Sequence, residues 1–167
     1  MAHEGQQNRS LAAQAAWPLL VLTAVLQVGS GLSSVAYLFM GVLKPASGPG
    51  AWAAATMGGA QAVAAVVAFV LAVRRDLRGT TLAAAGSIML GWLSTLPSVV
   101  EQGFDFQGDG KVAPIIFVIS PLIAIAAATL AWRNVYPIAA ALIVSAMTFI
   151  GVLFVIAFGI IIALYGF

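Results

Sequence analysis

The chain contains no cysteine and a single histidine, His3, close to its amino terminus. Without thiols it cannot form disulfides, thiolate nucleophiles, iron–sulfur clusters or cysteine-ligated zinc sites. One histidine near the chain end cannot supply a Ser-His-Asp triad, a bis-histidine haem site or a histidine-rich metal centre. We therefore predict that the protein is not an enzyme, has no catalytic residues and needs no cofactor.

Charged residues are also scarce. They make up 7% of the 167 residues, whereas 62% are apolar, and the mean hydropathy is +1.07. Soluble domains carry about 25% charged residues, so a soluble globular protein is excluded. The formal net charge is +2, but the basic residues form no long patch, and we expect no nucleic-acid partner. The composition predicts an integral membrane protein whose first partner is the lipid bilayer.

Five uncharged intervals are long enough to cross a bilayer, which takes about 20 residues per helix. Continuous apolar runs such as 138–150 favour helices, because barrel strands alternate apolar and polar residues. The sequence thus predicts an all-α fold, a bundle of five transmembrane helices within one membrane domain, 1–167, after a polar tail, 1–12. The predicted helices lie at about 17–42, 52–73, 80–100, 112–131 and 137–163.

The basic residues predict the orientation of the five spans. With the amino terminus inside, the inner segments carry five arginines and the outer ones carry Lys44 and Lys111, which satisfies the positive-inside rule. The amino terminus is then cytoplasmic and the carboxyl terminus outside. The alanine-rich spans suggest a bacterial inner membrane. Arg74, Arg75 and Arg78 are expected to contact lipid head groups.

Small residues recur at every fourth position of three predicted helices. Such residues let helix backbones approach closely in lipid, where burial of apolar area drives no association. We therefore predict helix–helix contacts along these stripes. The stripes are Thr56, Ala60, Ala64, Ala68 and Ala72; Ala83, Ser87, Gly91 and Thr95; and Ser120, Ala124 and Ala128.

Polar side chains inside the spans predict a polar layer slightly outside the bilayer midplane. The Trp92 indole N–H needs an acceptor there, and Gln61 is the first candidate. Either these residues form hydrogen bonds between helices, which is the interpretation we favour, or they line a small cavity for a neutral ligand. No ionisable residue lies in mid-span, which disfavours proton relays and most ion-coupled transport. The layer comprises Gln27, Ser30, Ser34, Gln61, Trp92 and Ser120.

The acidic loop before the fourth span resembles part of an EF-hand calcium loop. Asp105 and Asp109 fall at its first and fifth positions, but the twelfth, which should be a bidentate glutamate, is Ile116. We therefore predict a solvated acidic turn and no metal site. Asp105, Asp109 and Glu101 are only weak calcium candidates.

These observations favour a non-catalytic multi-pass membrane protein that acts through partners, as an accessory, assembly or stabilising subunit of a membrane complex. The partner is another membrane protein or further copies of the chain. The alternative is a small channel or carrier for a neutral or lipophilic solute. An enzyme using Glu101, Asp105 and Asp109 at the outer interface is the least favoured, since a glycine-rich loop holds geometry poorly. A lumen lined by the polar layer distinguishes transport from the accessory role.

Overall fold

A computed structural model describes residues 2–39, 49–103 and 112–165 of the chain. The described part is all-α, as predicted, and contains no strand. Its helices are α1 (Ala2–Phe39), α2 (Pro49–Val73), α3 (Leu77–Gln102), α4 (Val112–Arg133) and α5 (Pro137–Tyr165). The predicted boundaries of α2 to α5 agree with these within about three residues.

The start of α1 differs from the prediction. The helix begins at Ala2, well before the predicted start at Trp17, and so includes the polar tail 1–12 apart from its first residue. The hydropathy criterion locates only the lipid-compatible part of a helix. Residues 2–16 are rich in alanine and glutamine, which are good helix formers even where the segment is polar. The predicted end at 42 lies outside the described residues.

Helix α3 occupies the centre of the bundle and packs against all four other helices. Helix α2 packs against α1 and α3, α4 packs against α3 and α5, and α1 also contacts α5. Hydrogen bonds link Thr23 to Ser145 and Gln27 to Thr148. From the first pair to the second, the residue numbers rise along both helices, so α1 and α5 are parallel. Short turns make α2 antiparallel to α3 and α4 antiparallel to α5. The contacts of Arg78 with Trp132 and of Trp92 with Phe117 make α3 antiparallel to α4, so successive helices alternate in direction.

The buried core consists almost entirely of alanine. Among the buried hydrophobic residues that the structure describes, only Leu20 and Val144 are larger. Much of the predicted small-residue pattern lies in this core, including Ala68, Ala72 and Ala124, whereas Thr56 and Thr95 are exposed. Small side chains let the backbones pack at short range, so the helices associate without large interlocking side chains.

Three helices contain described segments that are long and apolar enough to cross a membrane: Ala16–Ser33, Pro49–Val73 and Pro137–Ala157. The described apolar part of α4, Phe117–Arg133, is shorter. No segment of α3 within the described residues meets the same criterion. Helix α3 contacts all four other helices, so few of its side chains face outward. Of the α3 side chains described, only Arg78, Thr95 and Val100 are exposed.

A tight turn of three residues, 74–76, joins α2 to α3. The backbone N–H of Arg75 donates to Ala72 O and that of Asp76 donates to Leu71 O, the hydrogen-bond pattern of a Schellman motif. Arg75 has φ +59°, a left-handed conformation that costs a non-glycine residue about 1–2 kcal/mol. The Asp76 carboxylate then caps α3 by accepting a 2.9 Å hydrogen bond from the Gly79 N–H.

Replacing Asp76 with alanine is expected to lower the free energy of unfolding by about 1 kcal/mol, because the amino terminus of α3 loses its cap. Asp76→Asn keeps a side-chain oxygen that can accept the Gly79 N–H, so it should stay within a few tenths of a kcal/mol of the wild type. Equilibrium unfolding in mixed micelles measures both variants. Equal losses in the two would show that the carboxylate stabilises the turn through its charge.

Candidate functional site

Gln27 joins three helices at the centre of the bundle. It lies on α1 and is only 5% exposed. Its Nε2 donates to Ala84 O of α3 at 3.3 Å and to Thr148 Oγ1 of α5 at 3.0 Å. The Thr148 hydroxyl donates its proton to Val144 O, so it accepts from Gln27. Both partners are acceptors, which fixes the orientation of the amide.

The Gln27 amide is only partly satisfied. Its Oε1 is buried and has no hydrogen-bond partner among the described residues. One turn away, the hydroxyls of Thr23 and Ser145 share a 2.9 Å hydrogen bond between α1 and α5, and both residues are fully buried. Ser145 and Thr148 were not predicted from the sequence, because α5 appears there as apolar on all sides.

Gln61 lies against the backbone of α3. A Cβ placed on Gly91 would approach the Gln61 Nε2 to 2.9 Å and its Cδ to 3.1 Å. Glycine at 91 therefore makes room for the amide, and Gln61 itself is only half-buried. The predicted pairing of Gln61 with the Trp92 indole does not occur.

The Trp92 indole does find an acceptor, but the acceptor lies on α4. Its Nε1–H donates to the backbone oxygen of Phe117 at 2.8 Å, and the two rings pack with centroids 5.2 Å apart. Residue 121 is proline, which has no N–H for the usual helical hydrogen bond to the carbonyl four residues earlier. Trp92 thus supplies a donor to the carbonyl that Pro121 leaves without its backbone partner.

Three serines complete the predicted layer. Ser30 is exposed, although it takes part in a polar contact. Ser120 is 8% exposed and lies on α4. The side chain of Ser34 lies outside the described part of the structure.

The predicted polar layer is therefore divided among separate contacts between helices. Gln27 on α1 contacts α3 and α5, Gln61 on α2 contacts α3, and Trp92 on α3 contacts α4. Each of these three side chains contacts a neighbouring helix. This arrangement suits interhelical hydrogen bonding and close packing better than the binding of one ligand.

Arginines gather at the end of the bundle where α2 meets α3. Arg74, Arg75 and Arg78 are exposed there, and their contact with lipid head groups stays a prediction. Arg78 also reaches α4: its Nη2 donates to Trp132 O at 2.9 Å, and the guanidinium lies 5.5 Å from the Trp132 ring centroid. Since Trp132 O lies near the carboxyl end of α4, this hydrogen bond caps the helix. The turn that follows α4, with Arg133, is therefore at the same end.

An open cleft of about 350 Å³ lies at this end, between α1 and the α2–α3 turn. It is lined by Gln14, Trp17, Arg75 and Leu77. The sequence identified Arg75 as a candidate head-group contact but did not connect it with α1. The connection depends on the extension of α1 beyond its apolar part, which places Gln14 beside the turn.

The calcium candidates are not brought together by the described part of the structure. Glu101 is in the last turn of α3, and Asp105 and Asp109 lie outside the described residues. The weak calcium hypothesis stays a prediction, as does that of a solvated turn.

Comparison with known proteins gave no match: no protein-family model, no curated protein and no solved structure matches the chain.

Proposed function

We propose that the protein is a non-catalytic, multi-pass membrane protein that acts as an accessory, assembly or stabilising subunit for another membrane protein. In this proposal all five helices cross a bacterial inner membrane. The arginine end is cytoplasmic, so the amino terminus is inside and the carboxyl terminus outside.

The alternating directions of the helices support five crossings. Three of them contain segments that are apolar and long enough to span a bilayer. Helix α3 contacts all four other helices, and its contacts with Phe117 and Trp132 make α4 antiparallel to it. This packing supports placing α3 and α4 in the same membrane as the three apolar helices. Arg74, Arg75, Arg78 and Arg133 flank the two turns at one end, and such a basic end faces the cytoplasm under the positive-inside rule.

The observation that carries the accessory role is the division of the polar layer among three helix contacts. A carrier needs its polar groups to converge on one solute, whereas Gln27 contacts α3 and α5, Gln61 contacts α3, and Trp92 contacts α4. Such contacts fix the shape of a bundle, and hydrogen bonds between helices in lipid contribute about 0.6 kcal/mol each. A stable bundle with defined outer faces is what a structural partner of another membrane protein requires.

One observation favours the alternative, a channel or carrier for a neutral solute. Gln27 Oε1 is a buried acceptor without a donor among the described residues, and such a group costs about 1–3 kcal/mol when unpaired. A neutral solute with a hydroxyl or amine could donate to it. Transport would then depend on Gln27 more than on Gln61.

The test has two arms: one measures whether the abundance of a partner protein depends on the chain, and the other measures whether the chain transports a solute. Cells that produce the tagged chain at its native level are extracted into nanodiscs, and co-purifying membrane proteins are quantified by mass spectrometry. We expect a second membrane protein in a fixed ratio, whose abundance falls when the chain is deleted and recovers with the wild type. Gln27→Leu should restore the partner equally, because leucine keeps the volume and leaves no polar group unpaired.

Flux through proteoliposomes provides the opposing arm. With glycerol as the probe solute, stopped-flow light scattering should show swelling no faster than that of protein-free vesicles. Faster swelling that is lost in Gln27→Leu, but kept in the matched variant Gln61→Met, would contradict the accessory role and establish the carrier. Recovery of the chain alone, with no dependent partner, would also contradict it.

A further inference from the structure

The cleft at the arginine end combines a cation, an amide, an indole and an aliphatic side chain. Arg75 lies in the α2–α3 turn and Leu77 is the first residue of α3, whereas Gln14 and Trp17 lie on α1. Trp17 also packs against the alanine core, so its ring is held between the interior and the cleft. Tryptophan is enriched at the head-group level of membranes because its ring is apolar and its N–H is polar.

The backbone directs Arg75 to this position. The residue has φ +59°, a conformation in which glycine is usual. Its N–H and that of Asp76 are bonded to the last turn of α2 at 3.0 Å each, so the turn is fixed. Because this conformation is strained for an arginine, the Arg75 side chain is a candidate for a function at this position.

The neighbouring charges have other partners. Asp76, the adjacent carboxylate, accepts from the Gly79 N–H, and Arg78 donates to Trp132 O. Among the side chains that the structure describes, no carboxylate forms an ion pair with Arg75. Its guanidinium, which can bind two phosphate oxygens at once, thus faces an open cleft.

We propose that this cleft binds the phosphate group of an anionic phospholipid. The Arg75 guanidinium receives the phosphate oxygens, the Gln14 amide is a donor for the ester oxygens, and Leu77 and the Trp17 ring contact the start of the acyl chains. The proposal rests on the membrane placement proposed above, with this end at the head groups. The general expectation is that all three arginines attract lipid head groups. The proposal goes further, because Arg75 is the only one of the three to which it assigns the contact with the phosphate.

The test uses Arg75→Gly, which separates binding from folding. Glycine suits the left-handed conformation, so this variant should unfold at a temperature equal to or above that of the wild type. Arg74→Gln is the matched control, because it removes the same charge from the adjacent residue outside the cleft. Purified protein in a neutral detergent is titrated with short-chain phosphatidylglycerol, and bound lipid is counted by native mass spectrometry.

We expect Arg75→Gly to weaken binding of one lipid by about tenfold, and Arg74→Gln by less than about twofold. Phosphatidylcholine, which has no net charge, should bind the wild type more weakly. Competition by millimolar inorganic phosphate would identify the site as one for free phosphate and overturn the lipid assignment. Equal losses in the two variants would overturn the site itself. Binding in micelles depends on neither partner nor topology, so this result is independent of the proposed function.

Discussion

Replacing Gly31 with alanine is expected to force α1 and α2 apart. Gly31 is buried, and a Cβ at this position would lie 2.8 Å from the Cα of Ala62 and 3.2 Å from its Cβ. The obstacle is backbone, which cannot rotate away as a long side chain can. Overpacking of this kind costs about 1–3 kcal/mol, so Gly31→Ala should lower the free energy of unfolding by that amount, and Gly31→Val by more.

Gly29→Ala is the matched control on the same helix. No atom lies within 4 Å of a Cβ at position 29, so the substitution adds only helix propensity, worth up to about 1 kcal/mol. Reversible unfolding by SDS in mixed micelles measures both variants. If Gly29→Ala were as destabilising as Gly31→Ala, the close approach of α1 to α2 at Ala62 would be wrong.

The second large effect is expected at Trp92. Phenylalanine keeps an aromatic ring against Phe117 but cannot donate to its backbone oxygen, which the indole reaches at 2.8 Å. We expect Trp92→Phe to cost about 1–2 kcal/mol of stability, near the upper limit measured for hydrogen bonds between helices in membranes. Trp52→Phe, at a position that is 68% exposed, should change stability little.

A double-mutant cycle tests the reason for this cost. Pro121→Ala gives residue 121 an N–H that can bond to the Phe117 carbonyl within α4. Trp92→Phe should then cost about 1 kcal/mol less in the Pro121→Ala background than in the wild type. An unchanged cost would mean that the ring of Trp92, and not its N–H, stabilises the contact of α3 with α4.

The helices could be predicted from the sequence because their cause is local. Uncharged intervals of sufficient length mark where a chain can lie in lipid, and they located α2 to α5 closely. The same criterion was wrong for the start of α1, since Ala2–Ala16 is helical without being apolar. Hydropathy alone also did not reveal that α3 is the central helix.

The contacts between polar groups were harder to predict. Depth follows from the rise of about 1.5 Å per residue, and it predicted a similar depth for Gln61 and Trp92. In the structure Gln61 lies against Gly91, the residue before Trp92. Which neighbouring helix a side chain faces depends on how distant segments pack. The predicted acceptor of the Trp92 N–H was wrong for this reason. A signal for the correct acceptor was present: Pro121 identifies Phe117 as the residue whose carbonyl lacks its usual donor. The pairing of Thr23 with Ser145 had no such local signal.

The most direct test of the proposed topology asks on which side of the membrane each connection between helices lies. The chain has no cysteine, so single cysteines can be introduced without background. In the proposed topology, Gln107→Cys lies outside and Val135→Cys, an exposed residue between α4 and α5, lies inside. A membrane-impermeant maleimide should label Gln107→Cys in intact cells and Val135→Cys only after permeabilisation. Labelling of both from the same side, or in the reverse order, would contradict alternating crossings with the arginine end in the cytoplasm.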